Sequence, residues 1–469
     1  MTAITNKKID TGSLIKWLII LIVFAAIMFV PETETFTFAM KWFFSTTAVC
    51  LLVMAFELMP LAAPAVAMPL LWSIPGIIPW ETSFSGWANN IFWLMWGSFL
   101  LGEAVDQCGF MRRIALWCVN KCGGTYNGIV WGMFFAGLVL NMLMSGSGSA
   151  IILILACSLV KTLQLERKAA NILIVVSCTV AVGFIYDLWF SPLSLTVFTQ
   201  AIQAHVPDYS FYWYDMILWK LPNWILVFGF IIGMMKVFKT KNIALQGGKE
   251  YFEAELAKMG KMSIPEKKAA VILIALIAYV LSTPLTGLNI NYGFIVAALV
   301  CFLPGISLAD EQIFKRLNFS LLIFIASCLG IAGAATYCGA TQLMASACAS
   351  VLGNFGAIGT TWATLLMGVI ANFVLTPVAM QLIFPDILVQ TALNMGINPM
   401  PVLYVMNFSC DILFLPYEAG MYLMVMGFGV MSMKDFIKWM GMKAVVFSLF
   451  FMLVVFPLWY ILGLYTPLL

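Results

Sequence analysis

Long apolar runs follow one another along almost the whole chain, and each is about the length of a membrane-crossing helix. Such a helix needs about 20 mostly apolar residues. Only 10% of the residues are charged and 63% are apolar, whereas soluble chains are about 25% charged. We therefore predict an all-α polytopic membrane protein with about 11 transmembrane helices. The predicted spans lie near residues 13–30, 38–57, 60–78, 88–107, 170–205, 212–236, 269–287, 289–306, 318–338, 400–430 and 443–464.

Two further apolar stretches, 128–160 and 355–395, are too long for one ordinary span. Each is interrupted near its middle, by Ser-Gly-Ser-Gly-Ser at 145–149 and by Leu-Thr-Pro at 375–377. Irregular backbone at membrane depth is tolerated only where protein or a water-filled cavity surrounds it. We predict that each stretch is a re-entrant hairpin, which enters and leaves the membrane on the same side. Small-residue packing between helices is the alternative for the serine-glycine cluster.

The basic residues agree with this layout. With the N-terminus inside and each hairpin returning to its own side, the basic segments 112–121, 161–168, 236–268, 315–316 and 434–443 all fall inside, as the positive-inside rule requires. The second hairpin lies in a stretch without lysine or arginine, so we expect it to open outward. We predict a multi-pass protein of the inner cell membrane with an uncleaved first span, a cytoplasmic N-terminus and an outer C-terminus.

The chain contains a weak internal repeat. Residues 89–109 parallel residues 317–339, and Tyr-Asp-Leu-Trp-Phe-Ser-Pro at 186–192 parallels Cys-Asp-Ile-Leu-Phe-Leu-Pro at 410–416. Asp187 thus matches Asp411, and each motif lies in a span that we predict to be broken, 170–205 and 400–430. We expect two inverted repeats, 1–236 and 269–469, joined by a cytoplasmic linker at 237–268. Broken helices in equivalent positions of inverted halves indicate a transporter binding site.

A helix broken at mid-membrane offers two kinds of ligand. Its backbone N–H end attracts anions, and its carbonyl end, joined by hydroxyl and carboxylate oxygens, suits a hard cation. No basic residue is predicted near the acids at the breaks, so these acids would be protonated or hold a cation. The predicted cation-binding or coupling residues are Ser145, Ser147, Ser149, Gly183, Asp187, Thr376, Asp411 and Glu418.

Four segments resemble the divalent anion:sodium symporters of the ion transporter superfamily. They are residues 54–71, with Glu57 and Pro60 at the family's acid and proline, and residues 100–117, 142–156 and 425–443. Neither hairpin tip keeps the family's asparagine. The resemblance implies a homodimer in which a moving transport domain gives alternating access. It also implies secondary active transport of a small dicarboxylate, tricarboxylate or sulfate, coupled to Na⁺ ahead of H⁺. The substrate-binding residues implied by position are Ser145, Gly146, Ser147, Thr376, Pro377, Ser191, Pro192 and Pro416.

Other functions remain open from the sequence. An anion exchanger of the same fold, a transporter-derived sensor and a channel all fit the layout. An intramembrane enzyme is not expected, because the chain has one histidine and no HExxH motif, and an Asp187–Asp411 dyad lacks any supporting motif. We expect a small anion and the lipid bilayer as partners, no nucleic acid, and no cofactor or metal other than Na⁺ or H⁺ as coupling ion.

Overall fold

The computed structural model of the protein describes residues 11–122, 125–144, 149–163, 168–183, 188–239, 243, 248–352, 356–373 and 375–467. Within these ranges the chain forms helices and no strand. The first half contains α1 (Thr11–Met28), α2 (Phe38–Ala55), α3 (Ala62–Ser73), α4 (Trp80–Ser83), α5 (Ser85–Ala88), α6 (Asn90–Gln107), α7 (Phe110–Lys121), α8 (Tyr126–Met144), α9 (Ser149–Leu163), α10 (Lys168–Gly183), α11 (Pro192–Gln203) and α12 (Trp213–Val237).

The remaining helices include a short one in the predicted linker and those of the second half. They are α13 (Gly248–Lys258), α14 (Ile264–Thr286), α15 (Ile290–Val300), α16 (Phe319–Tyr337), α17 (Ala340–Leu352), α18 (Gly356–Ala371), α19 (Pro377–Ile383), α20 (Pro385–Asn394), α21 (Pro399–Ser409), α22 (Gly420–Gly427), α23 (Met433–Phe450) and α24 (Phe456–Ile461). Short 3₁₀ segments lie at Glu311–Lys315 and Pro416–Glu418, and a π-helical turn at Phe451–Val455 joins α23 to α24.

Five stretches of helix in the described ranges are long and apolar enough to cross a membrane. They are Phe38–Ala55, Trp213–Val237, Ile264–Thr286, Phe319–Tyr337 and Met433–Ile461. The spans predicted at 170–205 and 400–430 are each divided between shorter helices. Large apolar side chains point away from the protein on several spans; Leu285 is 91% exposed and Ile225 is 69% exposed. An exposed apolar surface of this kind indicates contact with lipid.

A series of helices recurs in the same order in the two halves. In the first half, α6 meets α7 at Gly109, and in the second, α16 meets α17 at Gly339; both glycines have φ of 80°. Only glycine adopts this left-handed conformation readily. Helices α8 to α12 then correspond in order to α18 to α23, with α19 and α20 together in the place of α9. Whether the halves are inverted relative to the membrane stays a prediction.

The two hairpins also contact the opposite halves. The first hairpin consists of α8 and α9, and the second of α18, α19 and α20. Helix α8 packs against α10, and α18 packs against α21 in the same way. Across the halves, α22 packs against α9, while α11 packs against α19 and α20. A helix of each broken span therefore packs against the hairpin of the other half.

A charged contact joins the predicted linker region to the first half. The Arg113 guanidinium donates to both carboxylate oxygens of Glu266, at 2.7 and 3.1 Å, and to the carbonyls of Met259 and Gly260. Glu266 lies in the first turn of α14, where it also accepts a hydrogen bond from the Ser263 backbone. A bidentate guanidinium–carboxylate pair with further bonds is a strong contact. The boundaries 1–236, 237–268 and 269–469 stay predictions.

Close backbone packing fixes α5 against α16. A Cβ atom added at Gly86 would collide with the carbonyl oxygen of Ala326 and lie 2.9 Å from the Cβ of Leu329. We expect Gly86→Ala to destabilise the protein by about 1–3 kcal/mol through overpacking. Gly229→Ala in α12 is the matched control, because nothing lies within 4 Å of its Cβ position. Thermal melting of the purified variants checks this, and equal melting temperatures would contradict it.

Candidate functional site

The second half contains a helix interrupted inside the buried core. Helix α21 ends at Ser409, and the chain then runs irregularly to the 3₁₀ turn at Pro416–Glu418 before α22 begins at Gly420. A proline supports the start of a helix, because its fixed φ fits the first turn and its missing N–H would be unpaired there anyway. The interruption leaves backbone groups without partners in their own helix. Side chains from distant parts of the sequence provide those partners.

A lysine from α23 enters this interruption. The Lys443 ammonium lies 2.5 Å from Oδ2 of Asp411 and donates a hydrogen bond of 3.0 Å to the Asp411 carbonyl. The two side chains are 1% and 5% exposed. The ammonium also lies 5.4 Å from the centre of the Phe447 ring, one turn further along α23. A buried charge needs a partner of this kind, and Asp411 and Lys443 provide it for each other.

The prediction that no basic residue lies near the acids of the breaks was therefore wrong for Asp411. Sequence reasoning placed Lys443 at the inner end of the last span, with the basic loop residues. In the structure α23 begins ten residues before Lys443, at Met433. The lysine consequently lies well inside a helix that packs into the core. Binding of a free cation by Asp411 stays a prediction. The positive group next to Asp411 in the structure is the Lys443 ammonium.

Gly183 of the first half lies beside Asp411 of the second half. A Cβ atom added at Gly183, the last residue of α10, would lie 2.8 Å from Oδ1 of Asp411 and 3.2 Å from the Tyr422 hydroxyl. Tyr422 is buried between Phe436 and Trp439, and its hydroxyl has no hydrogen-bond partner among the described residues. A glycine is needed at residue 183 because a larger residue would displace the carboxylate.

Asn372 fastens the second hairpin to the broken span. Its amide nitrogen donates to the carbonyls of Ser409 and Ile412, at 2.8 and 3.1 Å. Both carbonyls lie where α21 ends, and that of Ser409 also accepts a hydrogen bond from the Ile412 N–H. The Asn372 amide oxygen is buried and has no hydrogen-bond partner in the part of the chain that the structure describes. Phe373 stacks on Phe414 beside this contact, so two successive residues hold the tip of the hairpin.

Glu418 satisfies the other side of the interruption. Its two carboxylate oxygens accept hydrogen bonds from the backbone N–H groups of Phe414 and Leu415, at 2.9 and 3.1 Å. Glu418 is buried. Glu418 thus caps the 3₁₀ turn that precedes α22. A coupling role for Glu418 remains a prediction.

The first broken span lies against the second hairpin. Ser191 accepts a hydrogen bond from the Ser194 backbone and caps α11, which begins at Pro192. The Ser194 hydroxyl lies 3.5 Å from the amide oxygen of Gln381 in α19, and both side chains are buried. Thr376 caps α19 in the same way and is exposed at the tip. Two proline-led helices, each with a hydroxyl cap, thus lie side by side.

The structure thus gathers several of the predicted residues around one centre. Those at or next to the interruptions in the described ranges are Gly183, Ser191, Pro192, Thr376, Pro377, Asp411, Pro416 and Glu418. Ser145, Gly146, Ser147 and Asp187 lie outside the described residues, and Ser149 is described only as the first residue of α9. Their roles stay predictions.

Sequence reasoning missed three residues of this centre: Asn372, Tyr422 and Lys443. A signal for the first was present, because Asn372 lies four residues before Thr376, just as Asn141 lies four residues before Ser145. The centre now offers an unpaired amide oxygen, an unpaired phenol hydroxyl and an ion pair, all buried. Unpaired polar groups in a protein core suggest a place for water, an ion or a ligand.

Comparison with known families matches residues 49–408 to the family described as Citrate transporter. An L-tartrate/succinate antiporter of Shigella dysenteriae is 24% identical over 260 residues, covering 53% of this chain and 53% of the antiporter. The sodium-dependent dicarboxylate transporter SdcS of Staphylococcus saprophyticus is 21% identical over 290 residues, covering 57% of this chain and 54% of the transporter. The chain therefore matches about half the length of these relatives.

A solved structure resembles the fold over almost its full length. It is that of MtrF from Neisseria gonorrhoeae, whose structure is described as illuminating a class of antimetabolite efflux pumps. The TM-score is 0.53 at 14% sequence identity, and the likeness covers 95% of this chain and 94% of MtrF. This similarity concerns the fold alone. It confirms the predicted all-α polytopic membrane architecture.

The contact made by Asn372 leads to a direct test of the centre. We expect Asn372→Ala to destabilise the protein by about 1–3 kcal/mol, because two buried carbonyls lose their donor. Asn394→Ala is the matched control; Asn394 is exposed at the end of α20, and such surface changes stay within about 0.5 kcal/mol. Thermal melting in detergent measures both, and a wild-type melting temperature for Asn372→Ala would contradict the assignment.

Proposed function

Because this chain belongs to the citrate transporter family, we propose that it is a secondary carrier of a small organic dicarboxylate or tricarboxylate. The family agrees with the predicted resemblance to divalent anion:sodium symporters. The relatives support the substrate class, since one is named as an L-tartrate/succinate antiporter and the other as a dicarboxylate transporter. Sulfate, which the resemblance also allows, ranks behind the carboxylates. The proposed role is transport, without chemical change of the substrate.

The observation that carries this proposal is the close approach of Gly183, in the first half, to Asp411, in the interruption of the second half. Helices that begin inside a membrane protein present backbone N–H groups and the positive end of the helix dipole, which favour a carboxylate. Helices that end there present carbonyls, which favour a cation. Both kinds of end lie at this centre, with the second hairpin beside them. A substrate with two or three carboxylates matches several such helix starts.

We propose alternating access as the mechanism. The hairpins and broken spans contact one another across the halves, and hydrogen bonds from Asn372 and Ser194 join them further. These contacts favour movement of the hairpins and broken spans as one body, relative to the remaining helices. The remaining helices would form a scaffold within a homodimer. We place the protein in the inner cell membrane, with a cytoplasmic N-terminus and an outer C-terminus.

Two forms of coupling are open to such a carrier. The relative SdcS is named as sodium-dependent, which supports symport with Na⁺, ahead of H⁺. The other relative is named as an antiporter, which supports exchange of one carboxylate for another. A channel or a transporter-derived sensor of the same fold would show neither form of coupling. Exchange and symport differ in one measurable respect, namely whether uptake requires substrate on the far side of the membrane.

Counterflow in proteoliposomes tests the proposed function. Vesicles loaded with unlabelled succinate, tartrate or citrate should take up the same labelled anion transiently and with saturation. This uptake should require the protein and be blocked by an excess of the unlabelled anion outside. Sodium and choline buffers, each at two pH values, compare Na⁺ with H⁺ coupling. A flux that neither saturates nor shows counterflow would indicate a channel, and the absence of flux for every anion would contradict the carrier assignment.

A glycine variant tests whether the place where Gly183 approaches Asp411 is the transport site. We expect Gly183→Ala to lower the counterflow rate by about tenfold or more, because small displacements in a binding site have large effects on rate. Gly233→Ala in α12 is the matched control, since nothing lies within 4 Å of its Cβ position. Equal rates for both variants and wild type would place the site elsewhere in the protein.

A further inference from the structure

We propose that Lys443 is a built-in cation, which occupies the cation position of the second broken span and replaces a free sodium ion there. This inference rests on the proposed function and concerns its coupling. The position is defined by what surrounds the ammonium: the Asp411 carboxylate, the Asp411 carbonyl and the carboxyl end of α21. Carboxylate and carbonyl oxygens at the end of a broken helix are the ligands that a transported sodium ion takes.

The electrostatics of the position require a positive charge. The end of α21 is the negative end of its helix dipole, and the Asp411 carboxylate adds a full negative charge. Gly183 in α10 also lies against Oδ1 of Asp411 and brings no positive charge. Glu418 lies in the turn that follows. Burial of this much negative charge without a cation would be strongly unfavourable.

The lysine is fixed in place by the helix that carries it. Helix α23 packs on the broken span through Phe447, which contacts Phe408, and through Trp439, which contacts Tyr422. Phe451, in the π-helical turn that follows, also contacts Phe408. Lys443 lies between these contacts and is 1% exposed. The ammonium can leave Asp411 only if α23 moves relative to the broken span. A tethered cation of this kind is permanently available, whereas a sodium ion would have to bind and dissociate in each cycle.

The corresponding helix of the first half lacks a lysine at this register. Helix α12 begins with Asp215 accepting a hydrogen bond from the Tyr212 backbone, and α23 begins with Asp435 accepting one from the Ser432 backbone. With these two starts superimposed, Lys443 corresponds to Asn223. The first half therefore has a neutral amide where the second half has a charge. The buried lysine of α12, Lys220, lies three residues before Asn223.

Removal of the built-in cation should create a requirement for a free one. We expect purified Lys443→Ala to melt below the wild type in choline buffer. Sodium at about 100 mM should then raise its melting temperature by about 3–5 °C more than it raises that of the wild type. Lys438→Ala is the matched control, because it removes an exposed lysine of the same helix. It should respond to sodium as the wild type does.

A double variant shows whether the added sodium binds at Asp411. In Lys443→Ala/Asp411→Asn the carboxylate is gone as well, so the additional sodium response should disappear. Persistence of that response in the double variant would overturn the proposal, as would an unchanged sodium response in Lys443→Ala. If Lys443→Ala can be purified only in sodium, the proposal is supported, and if it can be purified in neither salt, the proposal fails.

The melting measurements need no substrate, so they are independent of the carrier assignment. If no anion shows counterflow but the sodium response of Lys443→Ala is as expected, the proposed function fails and the built-in cation stands. If wild type shows counterflow but Lys443→Ala shows no additional sodium response, the function stands and the inference fails. Where counterflow is observed, its rate in Lys443→Ala should rise about tenfold between choline and sodium buffer, and the wild-type rate should rise less.

Discussion

Backbone groups that a broken helix leaves unpaired at membrane depth must find partners inside the protein, because lipid offers none. The centre of this protein is arranged around that requirement. Asn372 donates to two carbonyls at the end of α21, and Glu418 accepts from two N–H groups before α22. Asn372 and Glu418 both lie outside the regular α-helices. The interruption is therefore a stable part of the fold, and the second hairpin cannot be separated from it without exposing polar backbone.

The ion pair between Asp411 and Lys443 lies at the same interruption and balances charge there. Isolated burial of either charge is costly, and loss of one partner of a buried pair typically costs about 3–5 kcal/mol. Asp411 and Lys443 thus depend on each other, although they are 32 residues apart in the sequence. Because they belong to different helices, the pair also links the broken span to α23. A conformational change that separates these two helices would have to supply another cation for Asp411.

Much of this centre was predictable from local signals. Prolines and polar residues inside apolar runs located both interruptions and the second hairpin tip, because such residues disturb a helix wherever the chain goes. The burial of Lys443 could not be predicted from the sequence, since it depends on where α23 begins and on what α23 packs against. Asn372 was missed because its role depends on carbonyls of another segment. The cap at Glu418 had a readable signal, a proline at the first position of a turn and an acid at the third.

The contact between Arg113 and Glu266 has a consequence for how the protein is made. Arg113 is synthesised 153 residues before Glu266, so it is already in place when the first turn of α14 leaves the ribosome. The side of the membrane that holds Arg113 must also hold the beginning of α14. The orientation of α14 in the bilayer is thus tied to that of α7, a helix of the first half.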